Sequence, residues 1–294
     1  KEMRNELKNH RLLLDGAMGT MVQEYRLCEE DFRGELFRDV PVQLKGNNDV
    51  LVLTRPDIVY DIHKKYLAAG ADIITTDTFS SQRVSQKEYR LEDYVVQLNR
   101  EAVRIAQKAI ADYEEEQPES RGRHFVLGDV GPTSRMLSMS DDVSNPAARS
   151  ITLDELFSAY EEQIETLVES GVDGIMIETA FDTLNVKAAI AAYRSICRKY
   201  DEEHAGTNAM HLFPLFISMT VSDASGRILS GQTIEAFVDS VIYCQPLSIG
   251  MNCGMGAEAM IPYLRRMRKA VNGRCYVSCH PNAGLPNQFG EYDD

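Results

Sequence analysis

The chain has 294 residues, 44% of them hydrophobic, and a formal net charge of −14. That length can bury a large core, and no run of 18 apolar residues is present that would read as a membrane span. The acidic balance argues against a nucleic-acid partner, because gripping phosphates requires a clustered cationic surface.

Residues 1–11 are charged and precede any apolar segment, so no secretory signal or anchor is visible and the cytoplasm is the expected location. A short apolar run at 12–16 ends in Asp15-Gly16-Ala17-Met18-Gly19-Thr20, which is not a dinucleotide fingerprint and is followed by no clear helix. A long insertion, 21–55, comes next. After Pro56, apolar residues Ile58, Ile62, Tyr66 and Leu67 recur at helical spacing up to Gly70, and the run 71–78 reads as a strand. A helix over 91–113 leads through the polar stretch 114–121 to a strand at 125–131. A second insertion, 132–151, follows; loops this long are usually functional.

Thr152 with Glu155 three residues on forms a capping-box start for a helix over 153–170, and Gly171 stands where a C-terminal cap is expected. Strands at 174–179, 215–220, 247–253 and 275–282 then alternate with helices at 183–200, 233–243 and 257–271. Strands separated by helices of 10 to 20 residues indicate right-handed crossovers and a parallel sheet. Seven strands in strict alternation suit an α/β fold of the (β/α)8 TIM-barrel type, with 1–294 as one domain. The eighth strand is not within the sequence, so the barrel is expected to be truncated.

A barrel of this kind gathers its strand ends around one face, so the chemistry is sought there. Cys253 ends the sixth strand, with Gly254 and Gly256 letting the backbone turn closely; a thiolate there would suit zinc ligation or nucleophilic attack. The six cysteines are otherwise scattered and suggest no disulfide framework. Cys275 and Cys279 share a strand face but lie roughly 13 Å apart, too far for one metal ion. Cys279 alone would approach a metal only if it pointed into the barrel; core packing is the plainer reading. Asp15 and Glu178 each end an otherwise apolar strand, where a carboxylate needs a cation, backbone N–H groups or a ligand ammonium. Asp182 could equally pair with a neighbouring Arg or Lys, and Asp77 and Asp129 belong to the same ring with weaker signals. His63, His204 and His211 have no metal-ligand spacing and read as solvent-facing or interhelical. Neither a serine triad motif nor a P-loop occurs.

These runs, with Leu44-Lys45-Gly46-Asn47-Asn48-Asp49, Thr78-Phe79, Ile177-Glu178-Thr179, Gly231-Gln232-Thr233, Gly250-Met251-Asn252-Cys253 and Pro281-Asn282-Ala283-Gly284-Leu285-Pro286, resemble the N-terminal homocysteine-binding module of cobalamin-dependent methionine synthase. The resemblance runs from about residue 11 to 294. It implies zinc held by three cysteines, homocysteine bound with its sulfur on the zinc, and methyl transfer from methylcobalamin to give methionine, as one step of methionine biosynthesis. Cobalamin-binding and methyltetrahydrofolate-binding modules of the same polypeptide are the implied partners, with no nucleic acid or membrane. Cys253 matches the first zinc ligand; the other two, an adjacent cysteine pair, are expected beyond Asp294, so the fragment alone should hold metal weakly and be inactive. Asp15, Gly16, Ala17, Met18 and Glu178 match elements that contact the amino-acid end of homocysteine, and Asn252 and Asn282 are further substrate-binding candidates. Asp77 stands where the family more often has Asn, which implies an added negative charge near the pocket.

Three other readings compete. Related methyltransferases using betaine or S-methylmethionine share the strand-end pattern, although the Lys45-Gly46-Asn47-Asn48 motif in the long insertion favours the cobalamin enzyme. A non-catalytic amino-acid-binding fragment is the second. A Schiff-base lyase or aldolase is the third, weakened because none of the seven strands carries a lysine.

Overall fold

The computed structural model describes residues 3–120, 122, 124–140, 142, 144–221, 225–282, 285–286 and 292–293. Its principal elements in chain order are α1 (Met18–Glu24), α2 (Pro56–Ala68), β1 (Ile73–Thr75), α3 (Val95–Glu116), β2 (Phe125–Val130), α4 (Leu153–Glu169), β3 (Gly174–Ala180), α5 (Thr183–Glu203), β4 (Leu215–Met219), α6 (Ile234–Val241), β5 (Ser248–Gly256), α7 (Ala257–Val271) and β6 (Tyr276–Asn282). The six strands form one sheet in chain order. The α/β class and the parallel alternation expected of a truncated barrel are thus present.

Local chemistry explains most boundaries. Pro56 opens α2, where its missing N–H is one that a helix start leaves unpaired anyway. Thr152 and Glu155 close the anticipated capping box, with Thr152 donating to Glu155 Oε2 from both N (2.9 Å) and Oγ1 (2.7 Å) and Glu155 N returning a bond to Thr152 Oγ1 at 3.2 Å. Asp182 caps α5 by accepting from the backbone N–H of Leu184 at 2.8 Å. Gly171, at φ +87°, ends the segment after α4 in the left-handed region that glycine tolerates.

The chain divides into two compact units. The first comprises Lys1–Val130, Glu162–Ile175 and His211–Phe213; the second comprises Gly131–Glu161, Met176–Met210 and Pro214–Asp294.

In the first unit β1 and β2 pair in parallel, Ile73 opposite Phe125 and Thr75 opposite Leu127. The expected strand at 12–16 shrinks to a single parallel bridge, Leu14 with Ile73, supported by Asp15 N donating to Ile73 O at 2.9 Å. It is cut short because α1 begins at Met18, where the sequence suggested no helix. The 21–55 insertion is folded. Phe32, Phe37, Leu44, Val50 and Leu51 are buried in one cluster with Ile58 and Ile62 of α2 and Leu98 and Ala102 of α3. Each such side chain contributes about 1.5–3 kcal/mol of transfer free energy. Arg33 ties the loop together by donating to the carbonyls of Val40 (2.5 Å) and Val42 (2.6 Å), while Glu29 accepts from the N–H groups of Leu44 and Lys45. His63 is fully buried on α2, which removes the solvent-facing reading; burial pushes its imidazole down to about 4, so it packs as a neutral ring.

In the second unit β4, β5 and β6 are parallel neighbours, with Ser218 opposite Gly250 and Gly250 opposite Ser278. A Cβ on Gly250 would lie 2.0 Å from Ser278 Oγ and 2.6 Å from its carbonyl oxygen, so only glycine admits that approach. The 132–151 insertion is latched to the start of α5. Asp182 Oδ2 accepts from Ser138 N and Asp182 Oδ1 from Ser138 Oγ, Asn185 Oδ1 accepts from Leu137 N, and Arg149 donates to Leu137 O.

Candidate active site

Within the first unit the Asp15–Met18 turn is built tightly. Asp15 is buried, and its Oδ2 accepts from the Thr75 backbone N–H at 2.8 Å and from Thr75 Oγ1 at 3.2 Å. Gly16 lies under the Tyr66 ring: a Cβ there would sit 2.5 Å from Tyr66 Oη, which itself donates to Ala17 O at 3.0 Å. Desolvation and the charges of Asp15 and Glu24 push the Tyr66 phenol up to about 12, so it remains a donor at neutral pH. Met18 is the first residue of α1.

A buried polar network surrounds the end of β1. Asp49 accepts from Ser80 N (2.8 Å) and Ser81 Oγ (2.7 Å), and Asn47 exchanges amide hydrogen bonds with Gln86 at 2.9 and 3.3 Å. Thr78 Oγ1 donates to Asp129 O, and Gln163 donates to Thr78 O. Asp77 is buried beside this network, and its Oδ2 has no hydrogen-bond partner among the described residues. Burial, and then the Asp49 charge, push the Asp77 carboxyl well above its ordinary value. The added negative charge expected at position 77 is therefore opposed by desolvation, which keeps a proton on the buried pair. This network was not legible in the sequence, because its members come from five separate segments.

In the second unit the ends of β3 and β5 converge through one side chain. Asn252, 2% exposed, accepts at Oδ1 from Thr179 N (3.0 Å) and Ser218 Oγ (2.7 Å). Its Nδ2 donates to Thr179 Oγ1 (2.6 Å) and Cys253 Sγ (3.3 Å). The backbone bends sharply here: Thr179 and Cys253 have φ of +54° and +56°, and Gly254 has +75°. A left-handed β-branched threonine is a costly conformation that only surrounding contacts sustain, and such strain gathers at functional sites. No sequence signal marked Thr179 or Ser218 for these roles.

Cys253 is an exposed residue, yet its thiol is pushed up by desolvation and then by the Glu178 charge, against hydrogen bonds from Asn252 and Thr179. By itself the sulfur therefore keeps its proton at neutral pH; a metal cation beside it would reverse that balance. Glu178 is half-buried on β3 and lines a small cleft with Gly131, Pro132, Tyr160, Asp182 and Asn185. Asp182 meets its neighbours through hydrogen bonds to Ser138, Leu184 and Asn185. Asn282 ends β6 in register with Gly256.

As a soft donor, Cys253 fits one position of a metal centre. Among the described residues no group of three or more His, Cys, Asp or Glu side chains is arranged to hold an ion. Cys279, expected to pack in the core, is exposed, and its Sγ lies 3.5 Å from Met260 Sδ on α7. Ala283 and Gly284 of the final motif lie outside the described residues. No helix is long and apolar enough to cross a membrane, among the described residues.

Solved structures share this fold. The homocysteine methyltransferase MmuM from Escherichia coli in its metallated form superposes with a TM-score of 0.73 at 20% identity, over 96% of this chain and 87% of that one. Its oxidized form gives 0.68 at 18% identity over 97% and 96%, and its apo form 0.65 at 20% identity over 96% and 86%. The likeness defines the class, a parallel α/β fold shared with a methyltransferase. Residues 12–294 match the sequence model of the homocysteine S-methyltransferases, and the chain belongs to that family.

Proposed function

We propose that the chain methylates the thiol of homocysteine to give methionine, with zinc as the metal and methylcobalamin as the donor, as one module of a cobalamin-dependent methionine synthase. The observation that carries this reading is the Cys253 thiol at the end of β5, hydrogen-bonded by Asn252 and close enough to Glu178 for that charge to act on it. A protein of this family needs a soft ligand and a carboxylate near each other if a substrate is to present both a thiol and an ammonium.

Zinc bound by Cys253 and two ligands outside the described residues would stabilise a substrate thiolate at neutral pH. The residues of the second unit supply the rest of its chemistry. Glu178 attracts the substrate ammonium, since a half-buried carboxylate gains most from a cation. Asn252 holds the Cys253 sulfur, and the left-handed φ values of Cys253 and Gly254 bend the strand at that residue. Asp15, Gly16, Ala17, Met18 and Asn282 remain assigned to the substrate by resemblance, with 1–294 as a single functional domain. The folded 21–55 segment, containing Asn47 and Asp49, supports the cobalamin reading over the betaine and S-methylmethionine enzymes through its motif alone.

The test uses a polypeptide extended past Asp294. It should hold about one zinc per chain by metal analysis and form methionine from homocysteine with methylcobalamin. Activity with betaine and none with methylcobalamin would replace the proposed donor, and a metal-free protein with undiminished homocysteine affinity would replace catalysis by binding.

A further inference from the structure

An asparagine side chain has four hydrogen-bonding positions, two acceptor lone pairs and two N–H donors. In Asn252 all four are occupied by protein: Thr179 N and Ser218 Oγ donate to Oδ1, and Nδ2 donates to Thr179 Oγ1 and Cys253 Sγ. The residue is 2% exposed, so no part of its amide is left for a ligand. The Thr179 N–H, which can only donate, fixes which way the amide faces. Flipping it would set an N–H against the Thr179 N–H and leave the sulfur facing an oxygen.

The geometry points to Asn252 as a positioning residue for Cys253 rather than a substrate ligand, with the Thr179 N–H setting its orientation and the Ser218 hydroxyl bracing its oxygen. Ser218 is 4% exposed in the interior of β4 and carries no motif of its own. Thr179 contributes through its backbone N–H, which a substitution cannot remove, and through Oγ1, which accepts from Nδ2. Ser218 is the component whose side chain can be deleted without touching either strained residue. The strained φ values of Thr179 and Cys253 belong to the same device, because the bracket holds the two bends against each other within the second unit.

This inference deepens the proposed function, which gives the Cys253 sulfur its meaning, but its test does not depend on catalysis. The chain is treated with limiting iodoacetamide at one pH, and alkylation of each cysteine is quantified by peptide mass spectrometry. The exposed Cys28 and Cys279 serve as internal references. In Ser218→Ala the rate at Cys253 should fall about fivefold relative to Cys28, the worth of one net hydrogen bond, while Ser218→Thr restores it. Asn252→Asp, which replaces the N–H facing sulfur by oxygen, should slow Cys253 at least as much. An unchanged ratio in Ser218→Ala, even with a lowered melting temperature, or no restoration in Ser218→Thr, overturns the positioning role. So does an Asn252→Asp protein whose Cys253 reacts normally while its homocysteine affinity drops. Failure of the extended polypeptide to methylate homocysteine would sink the functional reading and leave these ratios as they are.

Discussion

Replacing Asp77 by Asn should change how stability depends on pH. Asp49 and Asp77 are each 4% exposed. Burial pushes Asp49 up to about 6, and burial with the Asp49 charge pushes Asp77 well above 3.8. Above the unfolded value of 3.8 and up to about 6, the folded protein keeps protons that the unfolded chain has released. The unfolded state binds fewer protons in that window, so stability falls as pH rises. Each retained proton costs about 1.4 kcal/mol per pH unit. Asp77→Asn removes one member of the pair, so its stability should fall less steeply. The variant should therefore gain on the wild type as pH rises from 4 towards 6, at up to about 1.4 kcal/mol for each pH unit over which Asp77 holds its proton. Urea unfolding followed by circular dichroism at pH 4, 5, 6 and 7 measures the slope, and the two proteins should differ least at pH 4. A gain of equal size at every pH, or a variant that loses most at pH 7, would refute the account of the buried pair.

Gly250→Ala should cost several kcal/mol or prevent folding, because its Cβ would meet both Ser278 Oγ and the Ser278 carbonyl oxygen. Adding Ser278→Gly should recover only part of the loss in a thermal melt, since the carbonyl contact persists. Asp182→Ala removes the α5 cap and both bonds to Ser138, and should lower stability by about 1–3 kcal/mol. Limited proteolysis should then cut within 132–151 faster than in the wild type. Glu178→Gln in the extended polypeptide should weaken homocysteine binding by about tenfold or more in calorimetry, the scale of a charge-assisted bond, with the zinc content unchanged.

The helices and their boundaries were readable wherever a local rule operates. Pro56, the Thr152 and Glu155 box, Gly171 and the start at Thr183 each act on backbone groups within a few residues, so neighbours in sequence suffice to place them. The apolar runs located all six strands for the same reason. The run at 12–16 was overread as a full strand, since nothing local reveals that α1 begins at Met18 and leaves one bridge to Ile73. The insertion at 21–55 looked like a loop because its apolar residues have no single period. They are buried by α2 and α3, which come later in the chain.

Composition, alternation and the ordered motifs determined the α/β class and the family and nominated Cys253 and Glu178 as site candidates, because these depend on residue types in a fixed order along the chain. Only the tertiary structure decided that Asp77 shares burial with Asp49, that Cys279 turns to Met260, and that Asn252 is saturated by Thr179 and Ser218. Those outcomes depend on which side chains meet across strands 34 and 73 residues apart in sequence. Hydrogen-bond capacity and desolvation are set by such neighbours, and a linear sequence does not specify them one residue at a time.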